Sequence, residues 1–251
     1  MLRKTIYAVL ILAGLPMAGA RAEGCTLENR ACIVENLRLN ADKIDTPAWR
    51  DQTYRELAKT LAFEGDTEGA IALLPKIQTP DTKAMTIRGI GMAAADNKLS
   101  PQQYGDIFTK LRVEANKIDH APSHAIALTY IAMAQAFAGD NEGAWKTASE
   151  MENEALRHKA YGETAEIQAE KGDITSTMKS IASITSLAFR NKAYATVSKI
   201  FADSGKLDEA LKMAEEIDNP YKKATSLQYI LDKQKPREIS HSNNENKGDI
   251  P

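Results

Sequence analysis

The chain has 251 residues, and its 32 lysines and arginines nearly balance its 34 aspartates and glutamates, for a net charge of −2. A balance this close to neutral argues against a general affinity for nucleic acid or for an anionic membrane surface.

The first predicted element is a signal peptide over residues 1–22. Arg3 and Lys4 form a short positive region, residues 6–17 form an apolar run, and Ala20-Arg21-Ala22 matches the small-x-small cleavage pattern. We expect cleavage after Ala22 and export to the bacterial periplasm or the medium. A retained membrane anchor is the alternative, but the apolar run is shorter than the ~20 residues of a spanning helix, and no second run follows it.

Residues 23–45 form an N-terminal segment that contains both cysteines, Cys25 and Cys32. An oxidising compartment favours a disulfide between them. One continuous helix would hold their Cα atoms roughly 10 Å apart, so the bond requires residues 26–31 to form a compact loop or broken turn. The spacing is not a CxxC redox motif, which favours a structural clip. Lipidation of Cys25 is the alternative, although the residues before it lack the expected large aliphatic side chain.

A repeat with a period of 33 residues begins near residue 46 and continues to 234. Apolar anchors recur at intervals of 33, 41, 33, 33 and 33 residues, and a basic residue or histidine follows each anchor by six positions. The anchors are Ile44, Ile77, Ile118, Met151, Ile184 and Ile217, and the residues that follow are Arg50, Lys83, His124, Arg157, Arg190 and Lys223. Such a period is typical of an α-solenoid, in which helix-turn-helix units bury their apolar faces by stacking.

Helical periodicity predicts a longer first helix and a shorter second helix in each unit. In the first unit these helices are expected over 47–64 and 67–77. Glycine at the turn between the helices supplies a positive φ, and the aspartate after it is expected to cap the second helix. The turn glycines are Gly65, Gly139, Gly172 and Gly205, and the expected caps are Asp66, Asp140 and Asp173.

The second unit is longer than the others. The turn there reads Asp96-Asn97-Lys98, and we expect Asn97 to replace glycine in a left-handed conformation. Ser100-Pro101 then begins a longer second helix that continues to Ala115. Two interpretations stay open for the longer part of the repeat at 98–118: a docking feature, or drift of the repeat.

The unit resembles a tetratricopeptide repeat. The resemblance rests on the aliphatic-small pairs Leu57-Ala58 and Ile131-Ala132, on the turn glycines, and on the small residues Ala70, Ala144 and Ala210 in the second helices. It covers residues 46–234, although most of the family's aromatic signature residues are missing. It implies an all-α, right-handed α-solenoid of about six units, whose first helices line a concave surface for peptides, partner proteins or other copies of the chain. It implies no catalysis and no cofactor.

The family's groove positions, carried onto the first helices, give a candidate binding surface on which cations outnumber acids. We therefore expect an acidic peptide, or a C-terminal carboxylate held by Arg55 and Arg88, as the ligand. The alternative is that these side chains are ordinary solvated lysines and arginines. The positions are Gln52, Arg55, Lys59, Arg88, Met92, Thr129, Met133, Lys159, Glu166, Lys192 and Lys199.

No residue pattern typical of an enzyme or a metal site stands out. The histidines do not form an HExxH motif, and Pro122 interrupts the helical spacing between His120 and His124. After residue 234 the repeat ends, and the polar segment 235–251 is expected to be a disordered tail.

We therefore predict an exported, non-enzymatic scaffold or assembly factor that binds a protein segment in its groove. A self-associating structural subunit is the alternative, since the terminal repeats lack strong polar caps. An unrecognised enzyme of the cell envelope is a further alternative.

Overall fold

A computed structural model describes residues 25–234, which form twelve α-helices and contain no strand. The all-α prediction is confirmed, while the predicted signal peptide and tail lie outside the described residues. Within residues 25–234, no helix combines the length and the apolar composition needed to cross a membrane. The helices are α1 (Arg30–Ala41), α2 (Pro47–Phe63), α3 (Thr67–Ala72), α4 (Pro80–Asp96), α5 (Pro101–Ala115), α6 (Ala121–Ala138), α7 (Asn141–Ser149), α8 (Glu154–Glu170), α9 (Ile174–Ala182), α10 (Leu187–Asp203), α11 (Leu207–Glu215) and α12 (Pro220–Lys233).

The even-numbered helices pack against one another in chain order, from α2 to α12. We call these the first helices. Each odd-numbered helix from α3 to α11, which we call a second helix, packs on the first helix before it and on the one after it. The helix α1 packs on α2. The core therefore runs between a row of first helices and a row of second helices.

The turns inside the hairpins have the predicted geometry. Gly65, Gly139, Gly172 and Gly205 have φ values of 90°, 84°, 75° and 76°. Carboxylate oxygens of Asp66, Asp140 and Asp173 accept hydrogen bonds from the amides three residues later, at 2.9, 2.9 and 3.0 Å. Both features are local in origin, since a short reversal needs a positive φ and the first amides of a helix need an acceptor.

The apolar anchors occupy equivalent places in the structure. The amide of each anchor donates a hydrogen bond to the carbonyl three residues before it, from Ile44 to Ala41 at the start and from Ile217 to Ala214 at the end. Five of the six anchors are buried, and Ile44 is half-buried. The sequence period thus corresponds to a repeated backbone geometry where one hairpin meets the next.

Three local predictions were wrong or incomplete. The helix expected over 67–77 ends at Ala72 and continues as a 3-10 turn over Leu74–Lys76, because Pro75 removes an amide donor and cannot continue the α-helix. Asn97 has a φ of −80° and an extended backbone, not a left-handed one. Here the chain runs on through residues 98–100 to a capping box between Ser100 and Gln103, so no tight reversal is required.

The third incomplete prediction concerns α1, which lies in the segment 23–45 and was not predicted as a helix. The disulfide joins Cys25, before the turn, to Cys32 in the first turn of α1, and Ala41 at the end of the helix is fully buried. Cys25 and Cys32 are bonded, with their Cα atoms 5.6 Å apart. Residues 26–29 form the compact turn that the pairing requires, where the amide of Asn29 donates to the carbonyl of Thr26 at 3.1 Å.

Candidate protein-binding surface

The predicted groove residues share one side of the first helices. They stand 8, 11 or 15 positions after an anchor, and residues separated by three, four or seven positions lie on one face of an α-helix. Thr129 is buried there, and its hydroxyl donates to the carbonyl of Ala125 at 2.9 Å, so the prediction of Thr129 as a groove residue was wrong. Because α2, α4, α6, α8, α10 and α12 pack side by side, these positions form a common surface. We call it the first-helix face. It has a cationic part on α2 and α4, an apolar part on α4 and α6, and a mixed-charge part on α8, α10 and α12.

The cationic part contains Arg55 and Lys59, which share a single carboxylate. The Nε of Arg55 lies 3.7 Å from Glu56, and the Nζ of Lys59 lies 3.1 Å from it. One acid therefore offsets only half of the positive charge of this pair. The Nε of Arg55 is also buried without a hydrogen-bond partner among the described residues, which leaves the guanidinium with an unused donor.

Arg88 connects this cationic part to the next first helix. Its guanidinium lies over the ring of Tyr130, 5.0 Å from the ring centre, in a cation–π contact between α4 and α6. Arg88 is exposed and keeps its hydrogen-bond donors available at the edges of the guanidinium. The predicted joint clamp by Arg55 and Arg88 stays a prediction.

The middle of the first-helix face is apolar. Met92 and Met133 stand 15 positions after their anchors, and both are half-buried. Met85 and Ile126, also half-buried, stand 8 positions after the same anchors, where the neighbouring units have Gln52 and Lys159. Sequence reasoning missed Met85 and Ile126 because it selected charged groups, although the period already placed both on this face. Methionine side chains adapt their shape to different apolar partners.

The mixed-charge part includes a depression of about 110 Å³ between α8 and α10. It brings together Lys159, Glu166 and Lys192, three of the predicted residues, with Glu163 and Phe189. Lys159 lies 3.6 Å from Glu163. Burial, reinforced by the nearby Glu163 carboxylate, raises the pKa of Glu166, and Lys192 opposes this rise. Burial near another acid destabilises the ionised carboxylate. A neighbouring cation stabilises it, and protonation removes its charge.

A second depression of about 320 Å³ lies between α10 and α12 and contains Lys192, Lys199 and Tyr221. Lys192 therefore borders both depressions. The Nζ of Lys199 lies 5.4 Å from the centre of the Tyr229 ring on α12. The structure thus brings Lys159, Lys192 and Lys199 onto one continuous stretch of surface.

The histidines and acids do not form a metal site within residues 25–234, where no group of three or more metal-ligating side chains converges. His120 hydrogen-bonds the hydroxyl of Ser123 at 2.6 Å, at the start of α6. His158 is buried, and its Nε2 hydrogen-bonds the hydroxyl of Thr185 at 2.9 Å. Both contacts connect hairpins or begin helices, which is a structural use of the imidazole.

Comparison with known proteins assigns neither a family nor a function to the chain. No protein-family model and no curated protein matches the chain. The crystal structure of Ton1535 from Thermococcus onnurineus NA1 is similar over 82% of this chain and 86% of that chain, with 16% sequence identity and a TM-score of 0.25. A TM-score this low supports no transfer of fold or function.

Proposed function

We propose that the protein is an exported, non-enzymatic scaffold or assembly factor that binds a protein segment along the first-helix face. The observation that carries this proposal is the arrangement on one surface of cationic side chains on both sides of an apolar middle. Six first helices in series supply this surface, and each contributes side chains from equivalent positions. Such a series suits the recognition of an extended ligand, because successive units contact successive parts of it.

We propose the arrangement of the helices, a curved stack of hairpins, as part of the same function. A tetratricopeptide-like, right-handed α-solenoid of about six units would place the first helices on a concave side. Two observations support it: the first helices pack against one another throughout, whereas the second helices pack mainly on first helices. A row of helices that is more closely packed than the row behind it curves toward the closely packed side.

The chemistry of the surface indicates the class of ligand. An apolar stretch of the ligand would lie against Met85, Met92, Ile126 and Met133, where burial of apolar surface drives association. Acidic groups on either side of that stretch would meet Arg55 and Arg88 at one end and the lysines of α8 and α10 at the other. These charged contacts would select the ligand and speed the encounter more than they would tighten the complex.

Export is supported by the disulfide. Such bonds form and persist in oxidising compartments, including the bacterial periplasm. A ligand of this protein would therefore be an envelope or extracellular protein. Periplasmic location, with cleavage after Ala22, is the form of export that we propose.

The proposal is tested by affinity capture of tagged mature protein, residues 23–251, from its native envelope fraction. The variant Arg55→Glu plus Arg88→Glu reverses two charges on the first-helix face. The control variant Lys146→Glu plus Lys212→Glu reverses two exposed charges on the second helices α7 and α11. We expect a specific partner that the unchanged protein and the control retain and that the first variant loses. A partner retained by both variants would contradict the proposal.

A further inference from the structure

The described chain begins with a second helix and ends with a first helix. The helix α1 has the register of a second helix, because its Ala41 accepts the anchor bond that residues at or near the end of the other second helices accept. Counting back from the anchors, Ile33 and Leu37 of α1 correspond to Ile107 and Leu111 of α5. In the described residues, no first helix precedes α1.

Among the described residues, nothing covers the apolar side of α1 where a first helix covers the other second helices. The helix α5 packs on α4 and α6, and its Ile107 and Leu111 are 7% and 0% exposed. Ile33 and Leu37, at the equivalent positions, are 40% and 41% exposed. The residues themselves are as apolar as those of α5. The difference in burial therefore reflects helices that pack on α5 and have no counterpart before α1 within residues 25–234, not a change of residue type.

At the other end of the described chain, leucines of the first helix α12 are exposed in the same way. Leu227 and Leu231 of α12 stand 10 and 14 positions after the anchor Ile217, and they are 37% and 59% exposed. In each of the five earlier first helices both positions are buried. Their residues are Tyr54, Ile87, Leu128, Tyr161 and Tyr194 at the first position and Ala58, Gly91, Ala132, Ala165 and Ser198 at the second. Within residues 25–234, no second helix follows α12 to cover its leucines.

We propose that a second copy of this chain supplies the missing helix, with α1 of one molecule packing on α12 of the next. The helix lacking at one end is of the type exposed at the other, so one contact completes a hairpin from two molecules. The terminal helices of a stacked-repeat protein need a polar outer face if they are to remain in water, and leucines do not provide it. The contact joins different surfaces of the two copies, so it is heterologous and can extend into a chain of molecules.

The intermolecular hairpin differs in one respect from those within the chain. The position of Leu231 holds alanine, glycine or serine in the other first helices. At Gly91, which occupies this position in α4, an added Cβ would lie 3.6 Å from Leu111 of the partner helix α5. Leu231 would face Leu37 at the corresponding point, and two leucines need more room. We therefore expect this pair of helices to be farther apart than the pairs within one molecule, with the two leucines in contact.

The test is sedimentation velocity of mature protein, residues 23–251, from micromolar to millimolar concentration. Leu37→Glu blocks α1, Leu231→Glu blocks α12, and Val113→Glu changes an exposed apolar residue of α5, away from both ends. Circular dichroism of each variant checks that helix content is unchanged. We expect the unchanged protein and the Val113→Glu variant to form a concentration-dependent series of oligomers, and each end variant alone to remain monomeric.

An equimolar mixture of the two end variants gives the decisive result. The Leu37→Glu molecule keeps an intact α12, and the Leu231→Glu molecule keeps an intact α1, so the mixture should form dimers and nothing larger. Two results would overturn the proposal. A monomer at every concentration would mean that another part of the chain, such as 235–251, covers the leucines. A single end variant that dimerises by itself would indicate contact between two identical surfaces. Neither result depends on groove binding, so the two proposals fail separately.

Discussion

Ser180 donates a hydrogen bond of 2.6 Å to the side-chain oxygen of Gln168, and both residues are buried inside one hairpin. The same contact occurs 33 residues earlier, where Thr147 donates to Gln135 at 2.7 Å. Ser180 also accepts a hydrogen bond of 2.7 Å from the indole nitrogen of Trp145 in the preceding second helix. One hydroxyl thus joins the two helices of its own hairpin to each other and to the preceding hairpin in the stack.

Replacing Ser180 by alanine should therefore destabilise the protein. The substitution leaves Gln168 and Trp145 without their partner, and an unsatisfied buried polar group costs about 1–3 kcal/mol. We expect a loss of about 2 kcal/mol in the free energy of unfolding, measured by urea denaturation. Ser149→Ala is the control, since that hydroxyl is exposed and bonds only its own helix. Equal effects of the two substitutions would contradict this role of Ser180.

The turn glycines should tolerate alanine less well than glycines inside helices. A Cβ added to Gly139 would meet no atom within 4 Å, but its φ of +84° is unfavourable for alanine. We expect Gly139→Ala to lower the free energy of unfolding by about 1–2 kcal/mol. Gly105 of α5 also has open space around it, without a positive φ, so Gly105→Ala should be neutral or stabilising by up to about 1 kcal/mol. Loss of stability in both variants would point to steric contacts instead.

The pH dependence of stability should reveal the burial of Glu166. Its pKa is raised above the ordinary value of 4.5, mainly by burial, so the charged form weakens the folded state at neutral pH. Glu166→Gln should then unfold at higher temperature than the unchanged protein at pH 7. This advantage should shrink as the pH falls through the raised pKa and disappear below 4.5, where the carboxyl is protonated in both states. A constant difference at every pH would contradict the account, and the exposed Glu152→Gln serves as control.

The disulfide should stabilise α1 locally. The helix packs on α2 at the end of the described stack, and the bond between Cys25 and Cys32 ties the preceding turn to the first turn of the helix. Replacing both cysteines by serine should weaken this turn by about 2 kcal/mol, which corresponds to roughly 30-fold faster hydrogen exchange in residues 30–41. Exchange in α12, at the other end, should not change. Faster exchange along the whole chain would show that the bond stabilises the entire fold.

Much of the local structure could be predicted because its causes are local. The positive φ of Gly139 and the cap by Asp140 follow from the needs of a short turn and a free helix terminus. Pro75 was an equally local signal, but the period of the repeat suggested an unbroken helix. The prediction for Asn97 failed because it assumed a tight turn where the chain has a longer, extended link.

The candidate surface was predictable only in part. The period placed Lys159 and Lys192 on one face. The ion pair of Lys159 with Glu163 was not predicted, although residues four positions apart lie on one face of a helix. The contact of Arg88 with Tyr130 joins residues 42 positions apart, so it depends on how two helices pack and on nothing local. The exposure of Leu37 and Leu231 likewise became visible only when every unit could be compared for burial.

Site-specific photo-cross-linking in the living cell tests directly whether the first-helix face binds a protein segment. A photoreactive amino acid at Met92 would probe the apolar middle of that face, and one at Leu211, an exposed residue of the second helix α11, would probe the opposite row. We expect a defined cross-linked partner from position 92 and none from position 211. A partner captured only from position 211 would contradict this expectation and place the binding surface on the second helices.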